Sequence, residues 1–332
     1  MKRATIADVA NLAGVSTFTV SRALHGKNRV AETTRQRVID AAKTLNYTTS
    51  KSAAALANGR TQRIALLISE SLSSPFNGLI EDGLYDVLRP ANYDLLVYRA
   101  GDVSERADFF HHLPADRNAD ALVVSFSVTE EEQRTVTSMG MPIVTVNALN
   151  NQYSQGSVSI DDIAAEGDAV RYLYALGHRK FCFVDMPEHL WGTDNRVLGY
   201  RRAIQETGAQ DCGVLTVEND PYRPACKAVA QLLAMPERPT AICGWSDHHA
   251  AAMMIELSRC GIRVPEDISI IGFDSFGPYR LLGLSSVEQP AREIGRIAAR
   301  KALALINNEQ LSEVHTIVPT SIIPGETTSP AR

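Results

Sequence analysis

From residue 64 onward, short, branched apolar runs alternate with stretches of helical period, and this rhythm constrains the fold more than any other feature. The runs are Ile64–Ile68, Asp94–Tyr98, Ala121–Ser125, Ile143–Val146, Phe181–Val184, Val214–Val217, Ala241–Cys243 and Ile268–Phe273. Helical patterns lie between most of them, as at Gly78–Leu88, Ile163–Leu176, Leu198–Glu206, Ala225–Leu233 and Ala250–Cys260. A helix between two strands brings them together in parallel. Strands covered by helices on both faces read as near-continuous apolar runs. The body is therefore of the α/β class, as one parallel sheet or as two lobes. Ligands of such sheets sit outside the carboxyl ends of the strands.

The first 63 residues do not share this rhythm. They carry eleven basic residues against Asp8, Glu32 and Asp40, whereas the rest of the chain has 22 basic and 35 acidic residues. A basic head on an acidic body suits a head that meets a polyanion. The plainer alternative is a solvated basic helix face. Thr5-Ile6-Ala7-Asp8 has the form of a capping box with Asp8 in the usual Glu position. Ile6, Val9, Ala10, Leu12 and Ala13 then give one apolar face, and Gly14 ends the helix. Ser16 caps a second helix with Val20, Ala23 and Leu24 inward. A third, from Glu32 to Leu45, turns Val38, Ile39, Ala41, Ala42 and Leu45 to the core. Two short helices joined through a Gly-containing turn describe a helix-turn-helix. Its second helix enters the major groove. That places Thr17, Phe18 and Arg22 at base edges, with Arg22 able to fork onto guanine and Phe18 to pack on a thymine methyl. Ser16, Thr19, Ser21, His25 and Arg29 suit phosphates.

Other classes are disfavoured. At 45% hydrophobic residues the 332-residue chain has apolar surface for a sizeable core, so disorder is not its main state. No apolar run approaches the ~18 residues a membrane span needs. The opening fifteen residues include Asp8 and Asn11 and do not form a secretory apolar region. Cys182, Cys212, Cys226, Cys243 and Cys260 form no CxxC pair. That fits a reducing cytoplasm, with Cys182 and Cys243 as small buried hydrophobes. GxGxxG after a strand, GxxxxGK[ST], HExxH and GxSxG are all missing. His111-His112 and His248-His249 are adjacent pairs, not the i, i+4 spacing of helix-borne ligands. A non-enzyme without metal or other cofactor is expected.

Between head and body, Lys51–Ala57 is short and small, with Leu56 as its one bulky side chain. It reads either as a linker or as a helix that forms on DNA and drives Leu56 into the minor groove. Here the residues resemble a known family. Thr5-Ile6-Ala7-Asp8-Val9-Ala10, Ala13-Gly14-Val15-Ser16, Thr19-Val20-Ser21-Arg22-Ala23-Leu24 and Leu45-Asn46-Tyr47 are similar to the opening of the LacI/GalR family of bacterial regulators. The resemblance implies base reading by Thr17, Phe18 and Arg22. It also implies a hinge helix that places Ala53 and Leu56 in the minor groove. The chain departs from the family at Thr49-Ser50, where relatives often have Pro-Asn, and at Ala54 and Ala55, where an Arg is common.

The resemblance continues through Ser74-Pro75-Phe76, Asp161-Asp162, Leu176-Gly177-His178-Arg179, Arg196-Val197-Leu198-Gly199-Tyr200, Val264–Ser269, Gly272-Phe273-Asp274 and Gln289-Pro290. It implies two periplasmic-binding-protein-like lobes with parallel sheets behind the all-α head. The implied boundaries are 1–48 for the helix-turn-helix and 49–61 for the hinge. The lobes follow, one of 62–160 with 291–319 and the other of 161–290 with 320–332. The implied effector lining is Ser73, Phe76, Asp161, Trp191, Thr193, Arg196, Ser246, Asp247 and Asp274. Arg and Asp suit vicinal hydroxyls, and an aromatic face such as Trp191 or Trp245 suits the C–H side of a sugar. Packing is the alternative for Ser73, Trp191 and Ser246, and helix capping for Asp247.

The expected function is a dimeric, sequence-specific DNA-binding repressor. It binds a palindromic operator and is controlled by a small molecule, a sugar or sugar derivative, in the interlobe cleft. The C-terminal stretch Ser321–Thr328 lacks the Leu heptads of tetrameric relatives. The alternatives are a cytoplasmic sugar-receptor module and a regulator gated by a partner protein.

Overall fold

In the computed structural model, residues 4–24, 30–47, 60–69, 71–116, 118–148, 152–185, 194–218 and 222–332 are described. The chain forms two compact units, Met1–Gln62 and Arg63–Arg332.

The first unit holds α1 (Ile6–Ala13), α2 (Thr17–Leu24) and α3 (Glu32–Thr44). Thr5 Oγ1 accepts the Asp8 N–H at 3.4 Å, and the Asp8 carboxylate accepts the Thr5 N–H at 2.8 Å. The capping box thus closes with the shorter acid. Gly14 ends α1 at φ 66°, a left-handed turn that costs a residue without Cβ little. Ser16 Oγ accepts the Thr19 N–H at 3.2 Å and so caps α2. Val9, Val20 and Val38, one from each helix, are fully buried among Ala10, Ala13, Ala23, Ala41 and Ala42. Two inward assignments fail. Leu12 is 54% exposed, because the Val9 and Ala13 stripe already fills the narrow face of an eight-residue helix. Ile39 is only half-buried and lies outside that cluster.

The second unit contains two sheets. The first has the order β11-β5-β4-β3-β1-β2. Its strands are β1 (Arg63–Ile68), β2 (Asp94–Arg99), β3 (Ala121–Val124), β4 (Ile143–Val146), β5 (Gly156–Ser159) and β11 (His315–Ile317). All pair in parallel. Its helices are α4 (Pro75–Leu88), α5 (Val103–Asp116), α6 (Glu130–Ser138) and α12 (Ala291–Ile306). On β1, Ile64, Leu66 and Ile68 join the cluster of Ile80, Leu84 and Leu88 from α4. Ala65 and Leu67 face the opposite layer with Phe110 and Val136. Burial of both faces explains the unbroken apolar run.

The second sheet has the order β12-β10-β9-β8-β6-β7. Its strands are β6 (Lys180–Asp185), β7 (Gln210–Thr216), β8 (Ala241–Gly244), β9 (Ser269–Asp274), β10 (Ser285–Glu288) and β12 (Ser321–Ile323). All are parallel except β12, which runs antiparallel to β10. With it go α7 (Asp162–Ala175), α8 (Asp194–Thr207), α9 (Cys226–Ala234), α10 (Asp247–Arg259) and the single turn α11 (Gly277–Arg280). The chain crosses between sheets after β5, after β10 and after β11. The body is thus two α/β lobes, and Cys182 and Cys243 are fully buried within it.

Candidate functional site

In the head, the outer side of α2 is the relevant surface. Thr17 and Phe18 stand in its first turn, and Phe18 keeps 69% of its surface exposed. The Arg22 guanidinium lies over the Phe18 ring, 5.4 Å from its centroid. An aromatic of that size left in water, with a cation stacked one turn later, offers a planar apolar face and a forked donor together. Ser16 spends its acceptor on the α2 cap and lies 3.0 Å from Thr19 Oγ1. His25, Arg29, Ala53 and Leu56 lie outside the described residues.

In the body, the polar groups gather where β6, β8, β9 and β10 end. Arg196, in the first turns of α8, is their centre and is only 8% exposed. Its Nε donates to Asp162 Oδ1 at 2.9 Å, and its Nη1 donates to the Trp245 carbonyl at 2.6 Å. Nη1 also lies 3.6 Å from Asp274 Oδ1. The guanidinium covers the Phe273 ring at 3.7 Å and the Trp245 ring at 4.9 Å. Gly199 makes this possible. A Cβ there would sit 2.4 Å from the Ile163 carbonyl, so only glycine lets α8 approach α7 closely enough for Arg196 to reach Asp162. Burial works against the charged guanidinium, yet Asp274 and Asp162 outweigh it and hold its pKa above the usual value.

Behind Arg196 stands Glu166, 1% exposed. Burial pushes its carboxyl up to about 8, against the pull of Arg196 and a hydrogen bond with Cys243, so at neutral pH it is mostly protonated. At the rim, Ser246 Oγ and His249 Nδ1 share a hydrogen bond of 2.7 Å. Burial, with His248 and Arg196 nearby, pushes His249 down to about 3, which keeps the imidazole neutral.

The expected lining residues fare differently. Phe76 begins α4 and tilts toward Phe276 of the second lobe, with ring centroids 6.3 Å apart. Ser73 is exposed, and its hydroxyl pairs with Ser71 at 2.8 Å. Asp161 caps α7 by accepting the Ala164 N–H at 2.9 Å. The carboxylate that reaches Arg196 is its neighbour Asp162. Asp247 is not a cap. It is the first residue of α10, 1% exposed, and accepts the Phe276 N–H at 2.9 Å and the Ser286 hydroxyl at 2.5 Å. Both of its oxygens therefore serve the protein's own turn after β9. Trp191 and Thr193 lie outside the described residues. Asp162, Glu166, Phe276 and Asn147 were not among the expected lining, whereas Trp245, expected as an aromatic face, does stand against Arg196. Among the described residues, no group of three or more His, Cys, Asp or Glu could hold a metal, and no helix is long and apolar enough to cross a membrane.

Residues 5–50 match the lacI family of bacterial regulatory proteins, and residues 170–328 match a periplasmic binding protein-like domain. The transcriptional repressor PurR of Vibrio atlanticus strain LGP32 is 32% identical over 311 residues, covering 92% of this chain and 93% of that protein. The transcriptional repressor CytR of Escherichia coli K12 is 31% identical over 303 residues, covering 89% and 87%. A lac repressor dimer bound to operator and the anti-inducer ONPF superposes with a TM-score of 0.86 at 22% identity, over 99% of this chain and 100% of that one. The complex of the transcriptional regulator CelR with cellobiose gives 0.70 at 26% identity, over 98% and 100%. The chain belongs to the lacI family of bacterial regulatory proteins. It is a transcriptional regulator that joins a DNA-binding helix-turn-helix to a ligand-binding body.

Proposed function

We propose that this regulator is a cytoplasmic repressor that binds a palindromic operator as a homodimer and is switched by a neutral carbohydrate. Thr17, Phe18 and Arg22 read bases, and Ser16, Thr19, Ser21, His25 and Arg29 meet phosphates. Ala53 and Leu56 of the hinge segment 49–61 enter the minor groove. The effector lies between lobes bounded near residues 160 and 290, against Ser73, Phe76, Asp161, Trp191, Thr193, Arg196, Ser246 and Asp274. Asp247 is assigned to holding the turn that carries Asp274.

The observation that supports the effector class is the charge balance around Arg196. Its guanidinium already faces Asp162 and Asp274, at 2.9 and 3.6 Å. An anion would find no uncompensated positive charge there and would meet two carboxylates. A neutral polyol finds carboxylate acceptors and an N–H fork, with Phe76, Phe276 and Trp245 for its C–H faces. A ligand alters DNA affinity through different affinities for two arrangements of the lobes.

Selection of random duplex DNA with the purified protein tests the DNA half, and the recovered duplex is then titrated with neutral sugars and with sugar acids. The expected outcome is a palindrome whose affinity changes with a neutral sugar. Weak, steeply salt-dependent binding without a motif would overturn the repressor reading. A response confined to sugar acids would overturn the neutral effector.

A further inference from the structure

Gln289 stands just after β10, where the chain crosses to the first lobe, and is 4% exposed. Its two amide atoms serve different lobes. Oε1 accepts from Asn147 Nδ2 at 2.8 Å, at the end of β4 in the first lobe. Nε2 donates to Asp274 Oδ1, at the end of β9 in the second. A primary amide has one acceptor end and one donor end, so these two bonds fix its orientation.

Both ends grip backbone of positive φ. Asp274 and Ser275 have φ of 103° and 60°, and Asn147 has φ of 47°. Asn adopts the left-handed region readily, as Asn46, Asn92 and Asn308 also do here, whereas 103° at Asp274 lies outside that well and needs surrounding bonds to hold it. Ser286 Oγ accepts the Ser275 N–H at 3.0 Å, and Asp247 Oδ2 accepts the Phe276 N–H at 2.9 Å. Asn147 is held by its own N–H on the Val158 carbonyl at 2.9 Å. A relay thus runs from Asn147 through Gln289 and Asp274 to Arg196 and Asp162. Besides the Phe76–Phe276 ring contact, it is a polar path from the first-lobe sheet to the guanidinium.

We propose that Gln289 is the positioning residue that couples the Arg196–Asp274 site to the first lobe. This rests on the reading of that site as the effector site. A ligand group that takes the Asp274 oxygen used by Gln289 releases the amide, and with it Asn147. A group that uses the carboxylate's other oxygen leaves the relay intact.

Hydrogen exchange on the full chain without ligand tests the coupling. Gln289→Met keeps the side chain's length and removes both bonds. Exchange is expected to rise at least tenfold at residues 274–276 and at 146–148. Asn147→Ala is the decisive variant. It should speed exchange at 274–276, in the other lobe, at least threefold. Gln289→Glu supplies the rescue. Its ionised carboxylate faces Asp274 and loses that bond, whereas a protonated Glu donates as Gln does, with Arg196 the nearby cation. Relative to wild type at the same pH, its exchange at 274–276 should be fast at pH 8 and return toward wild type at pH 5. An effect of Asn147→Ala confined to its own loop would overturn the coupling. So would a Gln289→Glu variant indifferent to pH. Neither readout needs an effector, so failure of the relay is distinguishable from failure of the effector reading.

Discussion

Each unit holds an arginine against an aromatic ring, in opposite settings. In the head, Arg22 lies 5.4 Å over Phe18, a ring that is 69% exposed. In the body, Arg196 is 8% exposed, packed 3.7 Å over the buried Phe273, and paired with Asp162 and Asp274. The ring does for both what a planar support does for a planar cation. What surrounds the pair decides its use. A guanidinium on an open basic face suits the highly charged edge of a duplex. One enclosed with carboxylates suits a neutral ligand that needs donors and acceptors in a fixed array. The sharpest way to test that contrast is to remove each cation and ask whether stability or recognition is lost.

Arg196→Met should have the largest effect. Removing one partner of a buried network leaves Asp162 and Asp274 uncompensated, at a cost of about 3–5 kcal/mol. Urea unfolding of the full chain measures it. A loss under about 1 kcal/mol would mean that the carboxylates are hydrated and the site is open. The same measurement on Arg22→Ala should show less than about 0.5 kcal/mol.

The second prediction sharpens the body's side of the comparison through pH. Burial raises the Asp247 carboxyl from an ordinary 3.8 to about 6, against the donors of Ser286, Phe276 and Ser275. A raised carboxyl binds its proton more tightly in the folded chain than in the unfolded one. Its contribution to stability is therefore whole below pH 3.8, declines as pH rises to 6, and is flat above. The span is on the order of 3 kcal/mol at most. Half-buried Asp86 and exposed Asp267 are lowered to about 2 by hydrogen bonds from Arg292 and Arg296, and from Arg263, and titrate below this window. Subtracting the stability curve of Asp247→Asn from wild type isolates the step. The amide can still accept from Phe276 and donate to the Ser286 hydroxyl. A flat difference between pH 4 and 6 would show that the carboxylate reaches water.

Arg22→Ala reports on the head. Loss of a bidentate base contact should cost roughly 1–3 kcal/mol on the selected operator and relax one position of the motif. Equal loss on all DNA, with a shallower salt dependence, would assign Arg22 to phosphate instead.

The two sites were not equally legible in the sequence. The head's capping box, its Gly14 stop and the Ser16 cap are contacts within three or four residues, so residue type and spacing suffice to read them. The central strands were legible because burial on both faces leaves an apolar run. Strands β5, β10 and β12, which read Gly-Ser-Val-Ser, Ser-Ser-Val-Glu and Ser-Ile-Ile, carry no such signal. They are strands because neighbours pair with them. In the body, the family resemblance pointed to Arg196 and Asp274, which the structure brings to 3.6 Å of each other. Asp161, the acid that the resemblance singles out, caps α7, and its neighbour Asp162 is the one that pairs with Arg196. Asn147 and Gln289 stand 142 residues apart and meet only through two chain crossings. Glu166 reads as an ordinary polar residue on α7. Its burial depends on the close approach that Gly199 allows.

The smallest effect concerns a residue with two possible duties. Ser16 was expected at a phosphate, yet its oxygen accepts the Thr19 N–H and caps α2. Ser16→Ala removes the cap and should cost about 1 kcal/mol of head stability. Operator affinity then falls only as far as α2 frays, equally for every sequence. A serine neutralises no charge, so the salt slope should not change in either case and cannot decide between the duties. Ser16→Asp decides. An aspartate caps as well as serine but repels phosphate, so head stability should be retained while affinity drops on all duplexes if a phosphate lies there. Retained stability with retained affinity would leave Ser16 as a cap alone. The base-reading surface of α2 would then begin at Thr17.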